Sequence, residues 1–270
     1  MSLPVLGAAL PVAELGRHRD WLFERDRDLE LQDFLMPEVL MGDWRGLVAV
    51  AKRKLDGWKG RLDIHGPFKD FDVDASDPEV RAFVRKRLGQ GLDAAEALGA
   101  DLMVIHSPFS TWASHNDFLG WKGPHERLER AVETLRPVAE RARAAGITLA
   151  IENIEDKSAE DRLRLAEALG PAAAVSLDTG HAHYAHVSTG GRPVDWHVLG
   201  AGGRLAHVHV QDADGHADRH WPPGMGTVPW APVFAALAAK APGARLILEL
   251  KNPDQIRAGA AYLAVLGLAE

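Results

Sequence analysis

The chain has no cysteine among its 270 residues, which excludes disulfides and thiolate metal sites and leaves nitrogen and oxygen as donors for any cation. No run of 18 apolar residues occurs, so no membrane span is expected. The opening Met1-Ser2-Leu3-Pro4 has no basic stretch ahead of its apolar part, unlike a secretory signal, and a cytoplasmic location is expected. Positive charge is in deficit: 31 Lys and Arg against 38 Asp and Glu give a net charge of −7. That balance disfavours a general affinity for phosphate backbones, so the expected partner is a small molecule and not a nucleic acid. Internal repeats, low-complexity tracts and linkers are also absent. A 46% hydrophobic content is ample for one domain over residues 1–270, and the oligomeric state is not legible.

What is present is a regular alternation. Short apolar runs alternate with longer segments of helical periodicity, the pattern of a parallel α/β sheet. The runs predict strands over 4–10, 28–35, 61–65, 101–106, 147–152, 173–178, 204–210 and 244–250. Between them, 78–98 and 125–145 carry apolar residues at helical spacing beside Arg and Glu, as outer helices should. Eight strands in a chain of this length predict a single (β/α)8 TIM barrel, a fold of about 250 residues. The two longest irregular stretches, 107–124 and 211–229, both follow strands. In such a barrel those loops lie on the C-terminal face, where active sites sit.

The last residues of the runs are the chemically informative ones. His65, His106, Glu152, Asp178, His209 and Glu249 each close or nearly close a predicted strand. Alternation of side chains puts His207 and His209 on one face and Val208 and Val210 on the other. Glu152, Asp178, His209 and Glu249 then converge from four consecutive strands. A lone Glu at a strand end is ordinarily solvated, and a lone His ordinarily a hydrogen-bonded core group. Three converging carboxylates are different, because desolvated like charges cost several kcal/mol per ion, and a divalent cation removes the conflict. A set of three carboxylates and one imidazole suits Mn, Mg or Co and also accepts Zn or Fe.

Ile151-Glu152-Asn153, Leu177-Asp178-Thr179-Gly180-His181, His207-Val208-His209-Val210-Gln211-Asp212, Asp218-Arg219-His220 with Pro223-Gly224-Met225-Gly226, and Leu248-Glu249-Leu250 together resemble the xylose isomerase-like TIM barrels. That superfamily holds sugar phosphate isomerases and epimerases and the endonuclease IV type of nuclease. The isomerase branch implies one cation on Glu152, Asp178, His209 and Glu249. Glu152 and Glu249 would be the acid/base pair, with His181 and Arg219 on substrate oxygens. Its reaction would be isomerisation or epimerisation of a small sugar, sugar phosphate or polyol carbonyl compound through a metal-bound enediolate. Two carboxylates on opposite faces of a carbon next to a carbonyl permit proton return to either side. The endonuclease IV branch implies nine ligands for three zinc ions, and the chain has all nine types: His65, His106, Glu152, Asp178, His181, His209, Asp218, His220 and Glu249. One ion is expected, with two or three as the alternative, which would suit phosphoester hydrolysis. A metal-dependent dehydratase and a non-catalytic sugar-binding barrel complete the alternatives. The acidic charge and the three aspartates Asp212, Asp214 and Asp218 in the seventh loop count against a DNA nuclease.

Other residues have plainer readings. Trp112, Trp121 and Trp221 fall in active-site loops, where Trp112 is a candidate to stack on a sugar ring, although packing explains such residues equally well. Trp230 is expected to anchor a helix. His183 and His186 are expected in a solvated loop, Lys52-Arg53-Lys54 on a solvated helix face, and Gly200-Ala201-Gly202-Gly203 in a turn before strand seven.

Overall fold

The computed structural model describes residues 3–116 and 124–270. Eight parallel strands close into a barrel in sequential order: β1 Leu6–Leu10, β2 Leu29–Leu31, β3 Leu62–His65, β4 Leu102–His106, β5 Thr148–Glu152, β6 Ala173–Asp178, β7 Leu205–Val210 and β8 Arg245–Leu248. The connections carry helices α1 Leu15–Phe23, α2 Pro37–Met41, α3 Trp44–Lys54, α4 Pro78–Leu98, α5 Thr111–Asn116, α6 Pro124–Ala144, α7 Glu160–Leu169, α8 Thr179–Thr189, α9 Val194–Ala201 and α10 Trp230–Lys240, and α11 Ile256–Val265 follows β8. The chain is a (β/α)8 TIM barrel, as the alternation of strand and helix signals predicts. No helix among the described residues is long and apolar enough to cross a membrane.

Local chemistry sets the long helices. Helix α4, Pro78–Leu98, starts where the Asp77 side chain accepts from the Glu79 amide at 2.8 Å, has proline in its first turn, and stops at Gly99 with φ +82°. Pro124–Ala144, here α6, matches the other predicted helix to within one residue at each end. Their apolar faces, among them Val84, Leu88, Leu92, Leu135 and Val138, are buried. Ile64, Met103, Ile105, Ile151, Val175 and Val208 are buried with them in one continuous core.

Two strand ends depart from the sequence reading. The second strand stops at Leu31, not at residue 35, and a 3-10 turn spans Asp33–Leu35. Asp33 is held there because its carboxylate accepts from the Val12 amide at 2.8 Å. The last ladder stops at Leu248, which leaves Glu249 one residue past it on the mouth of the barrel. The loop over 107–124 contains a short helix, α5, Thr111–Asn116. Trp121 lies outside the described residues.

Register delivers the site. The β6–β7 pairing begins at Val175 with Leu205 and shifts before Ser176, so that Asp178 lies opposite His209. Without that shift Asp178 would face Val208, since paired residues point to the same side of a sheet.

Candidate metal and catalytic site

Helix α8, Thr179–Thr189, begins directly after β6, and its N-cap is Asp178, whose Oδ1 accepts from the His181 amide at 2.7 Å. The Asp-Thr-Gly-His run is therefore both a helix start and a donor pair: the carboxylate caps the helix and puts His181 on its first turn. Gly180 is needed in between, because a Cβ there would overlap the Gln211 side chain.

The structure brings all nine predicted donors to the mouth. They form three groups that share or adjoin Glu152: His65, His106 and Glu152; Glu152, Asp178, His209 and Glu249; and His181, Asp218 and His220. Within each group, one donor atom per residue lies within 4.8 Å of the others. Glu152 Oε1 is 2.8 Å from His209 Nδ1, while Oε2 is 3.5 Å from His65 Nε2 and 3.6 Å from His106 Nε2. Glu249 Oε2 approaches the same His209 Nδ1 at 3.5 Å and His220 Nδ1 at 3.4 Å. Asp218 lies between two imidazoles, 3.3 Å from His181 Nε2 and 3.1 Å from His220 Nε2.

The donor set fits a divalent cation on two observations. Glu152 Oε2 is fully buried and has no hydrogen-bond partner among the described residues, the uncompensated group that a cation would satisfy. Three histidines, moreover, give their Nδ1–H to backbone carbonyls: His65 to Gly66 at 2.8 Å, His181 to Asn153 at 2.9 Å and His220 to Glu249 at 3.1 Å. Each ring, once neutral, directs the Nε2 lone pair at the cluster, the tautomer a metal needs.

Charges are strongly displaced. Burial opposes ionisation of Glu152, yet His209 and His65 hold it well below the usual carboxylate range. Burial also works against protonated His209 and His181, but the carboxylates around them raise both well above ordinary histidine. His220 is pushed up to about 9 against its burial, by Asp218 first and then Glu249. His106, with burial as the dominant cause, falls to about 3. Burial pushes the Asp178 carboxyl up to about 6, helped by repulsion from Glu152 and Glu249. Opposed shifts of this kind are found at functional sites and in structural ion-pair networks alike.

Several residues were not legible as site components. Gln211 donates to Asp178 Oδ1 at 3.1 Å and to Asp218 Oδ1 at 3.0 Å, and its Oε1 accepts from the His220 amide at 2.9 Å. It holds His220 at φ +49°, a left-handed conformation that costs a non-glycine residue about 1–3 kcal/mol and concentrates at functional sites. Asn153 clamps the Asp178 backbone from both sides, at 3.0 and 2.8 Å. Gln32 donates to Glu249 Oε1 at 2.5 Å. Glu30 lies fully buried beneath His209; the Leu29-Glu30-Leu31 triplet has the same form as Leu248-Glu249-Leu250 and was the available signal.

Other residues go elsewhere. Arg219 is turned to Asp214, at 2.8 Å, and is not brought to the donors. Trp112 is 64% exposed on α5. Asp212 is buried and accepts from the amides of Gly224 and Val228 and from Trp230 Nε1, so of the three loop aspartates only Asp218 enters the cluster. Trp221 pairs its backbone with Asp212, and Trp230 opens helix α10, Trp230–Lys240. His183 and His186 lie on helix α8 and not in a solvated loop: His183 Nε2 is 2.7 Å from Thr227 Oγ1, and His186 Nδ1 donates to Gly191 at 2.9 Å. Lys52 and Arg53 are exposed on α3, Trp44–Lys54, while Lys54 reaches the Val12 carbonyl at 2.9 Å. Residues 202–204 form a short helical turn before β7. A cavity of about 270 Å³, lined by Phe68, Phe71, His106, Phe109 and Glu155, opens beside the donors.

Residues 42–266 match the family of xylose isomerase-like TIM barrels. This chain belongs to that family. An uncharacterized protein of Mycobacterium leprae is 31% identical over 62% of the chain, and the match spans 61% of that relative's length. The D-psicose 3-epimerase of Ruminiclostridium cellulolyticum is 26% identical over 64% of the chain and 57% of its own length. Among solved structures, the chain is similar to the TTHB071 protein of Thermus thermophilus, soaked with zinc chloride: 29% identical, TM-score 0.75, 97% of each chain covered.

Proposed function

We propose that this chain is a divalent-metal-dependent isomerase or epimerase acting on a small sugar, sugar phosphate or related polyol carbonyl compound. The observation that carries the reading is the pair of carboxylates, Glu152 and Glu249, that approach one imidazole nitrogen of His209 from two strand ends. Glu152 is ionised at neutral pH and so is ready to take a proton from the carbon next to a carbonyl. Glu249, at the end of β8, would enter the cycle protonated and give its proton to the opposite face, after which exchange with solvent takes the proton from Glu152 and reprotonates Glu249. His181 stands beside both Glu152 and Asp218 as a donor to a substrate oxygen. A cation held by Glu152, Asp178, His209 and Glu249 would supply the positive charge that stabilises the developing oxyanion. The adjoining cavity suits a small molecule, and the similarity to a D-psicose 3-epimerase supports a sugar substrate.

Turnover of ketoses, beginning with D-psicose, in deuterium oxide tests the reading. Deuterium is expected on the carbon next to the carbonyl, and Glu152→Gln should impair turnover far more than binding. Unchanged turnover in both Glu152→Gln and Glu249→Gln overturns the two-carboxylate mechanism.

A second reading, hydrolysis of phosphoesters by two or three zinc ions, is favoured by one specific observation: His65, His106, His181, Asp218 and His220 supply, with Glu152, two complete donor groups beyond the tetrad. It predicts cleavage of bis(p-nitrophenyl) phosphate, with His106→Ala and His220→Ala each losing one metal and that activity. One cation per chain after zinc loading decides for the isomerase.

A further inference from the structure

His209 is oriented oppositely to its neighbours. His65, His181 and His220 turn Nδ1 to a backbone carbonyl and present Nε2, whereas His209 presents Nδ1 to Glu152 and Glu249. Its Nε2 points down into the barrel, 3.1 Å from both oxygens of Glu30. Glu30 is the middle residue of β2 and is wholly buried, as are His207 and His209.

We propose that Glu30 is a positioning residue that fixes His209 in the Nε2–H tautomer and so aims its Nδ1 lone pair at a cation. The inference rests on the reading of His209 as a metal ligand. An ionised carboxylate only accepts hydrogen bonds, so the nitrogen facing it carries the proton, and a neutral imidazole then keeps its lone pair on the other nitrogen. A carboxylate also makes the ring a stronger donor than a carbonyl would.

A second buried histidine packs against Glu30. His207 Nε2 lies 3.3 Å from Glu30 Oε2 but makes no hydrogen bond among the described residues, and the other ring nitrogen is 2.9 Å from Ser176 Oγ. Asp63 Oδ2 is 4.0 Å from the same His207 nitrogen, likewise without a hydrogen bond among the described residues. His207 thus packs against Glu30, and Glu30 sets His209. The register places these side chains: Ser176 is opposite His207 on β7, and Asp63 is opposite Glu30 on β3.

The test uses the full chain with zinc as probe. Nitrogen-15 ring spectra of the zinc-loaded protein, with the His209 signals assigned by their loss in His209→Gln, should show Nε2–H and a metal-bound Nδ1. An Nδ1–H ring overturns the inference, as does a zinc ion on Nε2; the latter matters because Glu30, His207 and His209 are themselves within 4.8 Å of one another. This measurement needs no Glu30 variant to fold. Glu30→Gln keeps the volume but can offer either end of its amide, so the tautomer is no longer enforced. Zinc affinity by chelator competition should fall about 10–100-fold, with a mixed tautomer in the spectra. Wild-type affinity in His209→Gln would sink the metal reading itself. Loss in His209→Gln with wild-type affinity and tautomer in Glu30→Gln would sink the positioning role alone.

Discussion

The two ends of this barrel use acidic residues in opposite ways. On the floor, carboxylates are met by guanidinium groups. Asp63 takes Arg245, which also holds Asp101 at 2.7 Å, and Asp28 takes Arg61 at 3.0 Å. At the mouth, Glu152, Asp178, Asp218 and Glu249 are met chiefly by imidazoles and amides, and one oxygen of Glu152 has no hydrogen-bond partner among the described residues. Arginine is always charged and neutralises a carboxylate permanently, whereas a histidine can give up its proton to make room for a metal. The floor is thus closed electrostatically and the mouth is left open to a cation.

The largest expected effect is at the mouth. Glu152→Gln should lower turnover about 10²–10⁴-fold while the metal-free barrel loses less folding free energy than in the floor variant below. A comparable loss of folding free energy would erase the distinction between the ends. On the floor the result should reverse: Arg245→Met strands a buried Asp63 and should cost about 3–5 kcal/mol of stability, with zinc stoichiometry at the mouth unchanged. Lost zinc sites in that variant would show that the ends are coupled.

Asp178→Asn separates ligation from folding within one residue. Asn caps helices about as well as Asp, so α8 should keep its start and stability should shift by less than about 1 kcal/mol. Elemental analysis should nevertheless find most of the cation gone, because an amide is a poor replacement for a carboxylate donor. Full occupancy would remove Asp178 from the ligand set.

The pH dependence sharpens the same comparison through its sign. His220 is raised to about 9 in the folded chain from an ordinary 6.5. Its contribution to metal-free stability is therefore fully present below 6.5 and lost as pH rises through 9. Zinc must displace that proton, so affinity should climb over the window in which metal-free stability falls, with protons released on binding. Calorimetric titrations in buffers of different ionisation enthalpy measure the release. No release between pH 6.5 and 9 would place His220 outside the metal shell.

Much of this organisation was legible in the chain. The eight strands followed from apolar runs, and six of the nine mouth donors from their places at strand ends, because a parallel barrel gathers the C-terminal ends of all its strands; His181, Asp218 and His220 joined them through the resemblance to the endonuclease IV type of site. What escaped depended on packing. Glu30 carries the triplet pattern of Glu249, but its strand is three residues long, and nothing local says that it lies a layer below the mouth. Gln211 resembles any polar residue after a strand. Its role comes from three contacts made across a loop with a left-handed His220. The end of β2 was misplaced because Asp33 is bonded to a backbone amide 21 residues away.

Arg219 gives the smallest expected effect and the finest test. It is 38% exposed at its side chain and paired with Asp214, which is itself 29% exposed; an ion pair that open to solvent contributes little to stability. Arg219→Ala should leave thermal stability and zinc content nearly unchanged, as should Asp214→Ala. The two variants diverge if Arg219 swings to a substrate oxygen during turnover. Removal of Arg219 would then raise KM with little change in unfolding, while removal of Asp214 would free the guanidinium and leave KM equal or lower. Equal KM in both variants and the parent would assign the pair to the loop and leave substrate contact to the mouth histidines.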